Sequence, residues 1–237
     1  MQEKDILAEV RRFMTSRAIL TAAELDLFTS LEDGPASAEE LSRAKGLDPR
    51  ATERMLDSMV VNGYLDKREG RFQLNEKGAH LSSKHPRSVL PMVRHLLHVW
   101  DNWSRLTDTV IQGVNTERES VTELSDQKQR DFIEAMDTVG RDLAEDIAAF
   151  YGETSCHRLL DIGGGSGVYT LAFLRQNPAM ESVIFDLPRV IPITEERIRQ
   201  EQEADRITLF PGDFYRDELP TGCDMALLSA IIHQNGP

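Results

Sequence analysis

LLDIGGGSGVYT, residues 159–170, decides the fold. The run from Arg158 to Ile162 reads as a short strand, the glycines from Gly163 to Gly167 as a tight turn, and the segment through Arg175 as a helix. Glycines at such a junction let a ligand approach the backbone, and the helix N-terminus offers unpaired N–H groups to something anionic or carboxylate-bearing. The spacing is G-x-G-x-G. A nicotinamide fingerprint starting at Gly163 needs glycine where Val168 stands, and no Gly-Lys-Ser/Thr follows for a P-loop.

The same alternation continues toward the C-terminus. Ser182–Asp186 reads as a second strand, Pro188 to Gln200 as a second helix, Ile207–Phe210 as a third strand and Met225 to Ile232 as a fourth. Strands alternating with helices predict right-handed βαβ units and a parallel sheet covered on both faces, the α/β class. Carboxylates stand at successive strand ends. Asp161 lies just before the glycines and suits a cationic ligand such as S-adenosylmethionine, with its ammonium and sulfonium groups. Asp186 is placed to accept from ribose hydroxyls. Asp213 can accept from an adenine amino group while Phe214 lies against the ring. Singly, a glycine loop is a turn and an aspartate a helix cap. In order, at the strand C-termini where open α/β sheets bind ligands, they point to a site.

The N-terminal half has another texture. Apolar residues at helical spacing from Ile6 to Phe28 predict one or two helices before the turn at Asp33-Gly34-Pro35. Ser37 and Glu40 form a capping-box pattern opening a helix that Gly46 stops, and a second helix follows Asp48-Pro49 to about Val61. Tyr64–Asp66 and Arg71–Leu74 flank a charged turn containing Gly70, as a hairpin does. Helix, turn, helix, hairpin is a winged-helix arrangement, which either reads DNA or serves as a dimerisation module. Residues 1–82 carry 12 Lys or Arg against 15 Asp or Glu, and the recognition-helix position sets Arg50 and Arg54 against Glu53 and Asp57. A DNA reader needs a basic face. Residues 88–150 read as helical, interrupted mainly at Pro91, Gly113-Val114-Asn115 and Gly140.

Composition narrows the partners. The net charge of -13 repels phosphate backbones, so no nucleic acid and no membrane partner is expected, and a small molecule fits better. Two distant cysteines, Cys156 and Cys223, suggest reduced structural thiols. His95 and His98, one turn apart, lack a carboxylate to complete a metal set, so no metal is expected. No cationic-then-apolar leader or ~18-residue apolar run appears, which reads as cytoplasmic.

With these residues in view, the sequence resembles the small-molecule O-methyltransferases related to caffeic acid and hydroxyindole O-methyltransferases, including bacterial antibiotic-pathway members. LLDIGGGSGVYT is similar to the family's cofactor loop, VIFDLPRVI to its ribose strand, and FPGDFYRDELPTGCDMALLSAIIH to its adenine strand and base-carrying strand. WDNWSRLTDTVIQG and DFIEAMD resemble helical segments bordering the substrate. The resemblance covers nearly the whole chain. It implies a winged-helix dimerisation domain over 1–85, a helical connector over 86–150 and a Rossmann-like class I methyltransferase domain over 151–237, assembled as a homodimer.

By position, Gly163, Gly165, Gly167, Asp186, Leu187, Asp213 and Phe214 then hold S-adenosylmethionine, with Asp161 and Ser229 beside them. Trp103, Met136 and Asn235 border a hydroxylated small-molecule substrate, and His233 is the general base. Many relatives carry Asp-Trp after that histidine, where this chain has Gln234-Asn235, and a basic residue where it has Ser229. Only four of the family's seven strands can be counted, so the expectation is a domain short of three strands and of the carboxylates that orient the base. Two other readings stay open: a relative that binds the cofactor but catalyses another reaction, and a winged-helix regulator that senses a ligand.

Overall fold

The structure is a computed structural model that describes residues 3–114 and 124–231. Two compact units divide the chain, Met1–Glu119 and Ser120–Pro237.

The first unit opens with helix α1 (Glu3–Glu24), followed by strand β1 (Ala36–Ser37), helices α2 (Ala38–Lys45) and α3 (Pro49–Val61), and strands β2 (Leu65–Arg68) and β3 (Arg71–Leu74). Helices α4 (Glu76–Ala79), α5 (Leu90–Ser104) and α6 (Leu106–Gln112) complete it. The capping box forms as its sequence predicts: Ser37 Oγ accepts from the Glu40 amide at 3.2 Å, and the Glu40 carboxylate accepts from the Ser37 amide at 2.7 Å. Gly46 ends α2 in the left-handed region, and Asp48 caps α3 by accepting from the Ala51 amide. The antiparallel sheet runs β1-β3-β2, completing the winged-helix pattern. Its core gathers Leu27, Phe28, Leu56, Met59 and Phe72, all at most 1% exposed. On α1 the apolar residues Ile6, Leu7, Val10, Phe13 and Met14 stay exposed instead.

The second unit opens with helix α7 (Asp126–Tyr151), capped by Ser125. Strand β4 (Arg158–Ile162), helix α8 (Val168–Gln176), strand β5 (Glu181–Asp186), helix α9 (Ile191–Ile198), strand β6 (Ile207–Pro211) and strand β7 (Met225–Leu227) follow. The order is β6-β5-β4-β7, with every pairing parallel. Strand direction across the sheet reverses its progress at β4, which places β7 beside it and creates the crevice where such sheets bind ligands.

Two sequence expectations are corrected. Gly140 does not interrupt α7: a Cβ there would lie 3.1 Å from Val168 and 3.4 Å from Tyr169, so the glycine serves close packing against α8 rather than a break. Strand β7 ends at Leu227, short of Ile232, because the chain turns; Ala230 has φ +55°, which no strand residue adopts. Among the described residues, no helix is long and apolar enough to cross a membrane.

Candidate functional site

The C-terminal ends of the four parallel strands converge on one cavity in the second unit, roofed by one face of α7. From β4 come Asp161 and the loop Gly163 to Ser166. Gly163 has φ +69°, and a Cβ on it would lie 2.5 Å from Ile231 Cδ1. Gly164 is closed to side chains for another reason, since its Cβ would lie 2.9 Å from both the Asp161 carboxylate and Ile184. The loop is therefore held tightly against the end of the sheet, with the Gly163 amide donating to the Phe185 carbonyl at 2.7 Å.

From β5 come Asp186 and Leu187. The Asp186 carboxylate accepts from the Gly165 amide at 2.8 Å and, through its other oxygen, from the Leu187 amide at 2.7 Å. It thus ties the glycine loop to the next strand end, and each oxygen keeps a lone pair for a ligand hydroxyl. Burial raises its pKa, and the two amides oppose that shift.

Asp161 is less supported. It is 2% exposed, and the Thr170 hydroxyl donates to it at 2.7 Å. Burial pushes its pKa up to about 6, with the nearby Asp186 charge adding to the rise and the Thr170 hydrogen bond opposing it.

After β6, Asp213, Phe214 and Tyr215 line the cavity. Asp213 also organises its own turn, accepting from the Tyr215 amide at 3.0 Å, while its amide donates to Asp217 at 2.8 Å. Ser229, Ala230 and Ile231 contribute from beyond β7.

The structure therefore brings Asp161, Gly163, Gly165, Asp186, Leu187, Asp213, Phe214, Ser229 and Met136 to a single cavity. Gly167 is not part of its wall. It caps α8 at φ +76°, where a Cβ would lie 3.0 Å from Ile184 Cδ1, so it serves helix-to-sheet packing. Trp103 lies on α5 in the first unit, 67% exposed. His233 and Asn235 fall outside the described residues. The segment expected to border the substrate supplies Phe132, Ile133 and Met136, while the sequence reading missed Gln129, Val139 and Gly140 as lining residues. Together with Met136 they recur at helical spacing on α7, a signal that was available.

Chemically, the cavity holds three carboxylates in a lining that is apolar along much of α7 and polar at Gln129, Ser166 and Ser229, with no Lys or Arg among its described lining residues. Such a site favours a ligand with positive charge and hydrogen-bond donors.

Comparison with known proteins agrees. The family model for the O-methyltransferase domain matches residues 103–236, and that for the O-methyltransferase dimerisation domain matches residues 9–83. The tetracenomycin polyketide synthesis 8-O-methyl transferase TcmO of Streptomyces glaucescens is 30% identical over 98% of this chain and 70% of its own length. Among solved structures, the mitomycin 7-O-methyltransferase MmcR aligns with a TM-score of 0.86 at 26% identity, covering 99% of this chain and 72% of that one. Human N-acetylserotonin methyltransferase in complex with S-adenosylmethionine shares the fold, with a TM-score of 0.78 at 23% identity over 98% of this chain and 72% of its own.

Proposed function

The chain belongs to the O-methyltransferase family, an S-adenosylmethionine-dependent class, and we propose that it methylates a phenolic hydroxyl of a small secondary metabolite, with His233 as general base. One observation carries the reading: a glycine loop and three carboxylates, Asp161, Asp186 and Asp213, face one cavity whose described lining carries no basic side chain.

The cavity fits the cofactor. Asp161, desolvated and with its pKa raised, gains from a cationic group beside it. Asp186 has lone pairs for ribose hydroxyls, while Leu187 and Phe214 offer apolar faces to the adenine beside Asp213. Gly163 and Gly165 keep the loop free of side chains where the amino-acid end would lie. When bound, S-adenosylmethionine supplies an activated methyl group on a sulfonium.

The chain's own residues then have two tasks. The lining aligns donor and acceptor, which provides much of the acceleration in a displacement of this kind. His233 takes the proton of the acceptor hydroxyl, a contribution of about 10²–10⁴-fold; an imidazole with a reference pKa of ~6.5 suits this at neutral pH. Met136, in the cavity wall, borders the acceptor, and Asn235 does so by family position. The tetracenomycin and mitomycin relatives support an acceptor from bacterial antibiotic pathways. The matched dimerisation domain and the exposed apolar residues of α1 support a homodimer formed through the first unit.

The test is product analysis. Incubation with S-adenosylmethionine and a panel of phenolic polyketides should give products in which one methyl group has replaced a hydroxyl hydrogen, read as a mass gain of one CH2. The His233→Ala variant should lose about 10²-fold in turnover while binding S-adenosylhomocysteine like the wild type. Full turnover in that variant removes His233 from its role, and products without added methyl groups sink the reaction itself.

A further inference from the structure

The face of α7 that lines the cavity is apolar at Phe132, Ile133, Met136 and Val139, with one polar exception. Gln129, one turn before Ile133, is 2% exposed, and its side-chain oxygen Oε1 has no hydrogen-bond partner among the described residues. A buried carbonyl left unpaired costs about 1–3 kcal/mol, so such groups in a native fold ask for an explanation. A packing role does not supply one, because a leucine would fill the same wall without the cost.

The position indicates which part of a ligand is near. Ile133, the next residue along this face, packs with Val190 and Ile193, and Phe132 and Leu187 join that cluster. Ile133 Cδ1 also lies 3.6 Å from where a Cβ on Gly165 would stand, and the Gly165 amide is held by Asp186. Gln129 therefore borders the β5 end of the cavity, the side of Asp186 and Leu187.

The unpaired atom is a neutral acceptor, which calls for a neutral donor. A ribose presents two hydroxyls, while each Asp186 oxygen already receives one backbone amide. We propose that Gln129 is a further cofactor-positioning residue, whose side-chain carbonyl accepts a ribose hydroxyl of S-adenosylmethionine and so shares the ribose with Asp186. This rests on the cofactor assignment made above.

Titration calorimetry with S-adenosylhomocysteine and its 2′-deoxy and 3′-deoxy forms tests it, alongside melting of the ligand-free protein. Gln129→Leu should weaken S-adenosylhomocysteine about five- to tenfold, the loss of one hydrogen bond. With one of the two deoxy forms the substitution should make no difference, because the paired hydroxyl is already gone. The ligand-free variant should melt no lower than the wild type, since an unsatisfied polar group has been removed.

Unchanged affinity for S-adenosylhomocysteine overturns the proposal, as does an equal loss with both deoxy forms, which marks Gln129 as a wall residue only. A lower melting temperature accompanied by that equal loss has the same meaning. If the wild type fails to bind S-adenosylhomocysteine at all, the cofactor assignment falls, and this proposal with it.

Discussion

The two ends of the parallel sheet treat their aspartates in opposite ways. At the N-terminal end, Asp224, just before β7, accepts from the backbone amides of His157 and Arg158 and from the Cys156 thiol, at 2.8–3.2 Å. These donors hold its carboxyl well below the usual range, the Cys156 contact contributing most. At the C-terminal end, Asp161 and Asp186 are both raised by burial, and at Asp161 the hydrogen bonds from Thr170 do not offset it. A fully partnered carboxylate stabilises its own fold. A desolvated, underpartnered one is a cost that a ligand can relieve, so perturbed groups gather where binding occurs.

The largest effect should come from removing the better organised of the cavity carboxylates. Asp186→Ala deletes the hydrogen-bond acceptor for the ribose and leaves the Gly165 and Leu187 amides without this partner. Calorimetry should show a loss of about 10²-fold for S-adenosylhomocysteine, as expected for one or two charge-assisted hydrogen bonds. A change below about threefold would place the ribose elsewhere.

Asp161→Asn should separate affinity from stability. Asparagine still accepts from Thr170 but carries no charge, so S-adenosylmethionine should bind about tenfold more weakly. The ligand-free variant should meanwhile be more stable than the wild type at pH 7. The sign follows from linkage: with a folded pKa raised to about 6, the protonated Asp161 contributes stability that is present below its reference pKa of 3.8 and lost as pH rises through about 6. The stability difference between variant and wild type should therefore open across that window in thermal melts. In the wild type, cofactor affinity should fall as pH drops through about 6. An affinity flat from pH 5 to 7 would show that Asp161 does not face the cationic part of the cofactor.

The smallest effect belongs to the other end of the sheet. Asp224→Asn should lower the melting temperature by about 2–4 °C at pH 7, because the site is exposed and its interactions are screened. It should leave S-adenosylhomocysteine affinity unchanged. Asp224 has a depressed folded pKa, so its contribution is present above pH 3.8 and is lost in more acidic solution, where variant and wild type should converge. A drop in cofactor affinity for this variant would break the division between the two ends.

Much of this was legible in the linear sequence, and the reason is locality. A capping box is written by residues three apart, a hairpin by its turn, and a glycine loop between strand and helix by residues 161–167 themselves, so Ser37, Glu40, Asp48, Gly163 and Gly165 could be read directly. Asp186 and Asp213 became readable because strands alternating with helices must deliver their C-termini to one edge. Other features depend on what arrives from elsewhere in the chain. Gly140 looks like a helix break until Val168 and Tyr169 come within reach of it, and Gly167 looks like a ligand contact until Ile184 fills the space beside it. Gln129 is an ordinary helical glutamine in the sequence; only burial without a partner makes it a candidate. The same holds for the contrast between Asp161 and Asp224. Their residue type and nearness to strand ends belong to the sequence, but whether each carboxylate meets amides or an apolar cavity is decided by tertiary packing, because solvation and partner count exist only once distant segments meet.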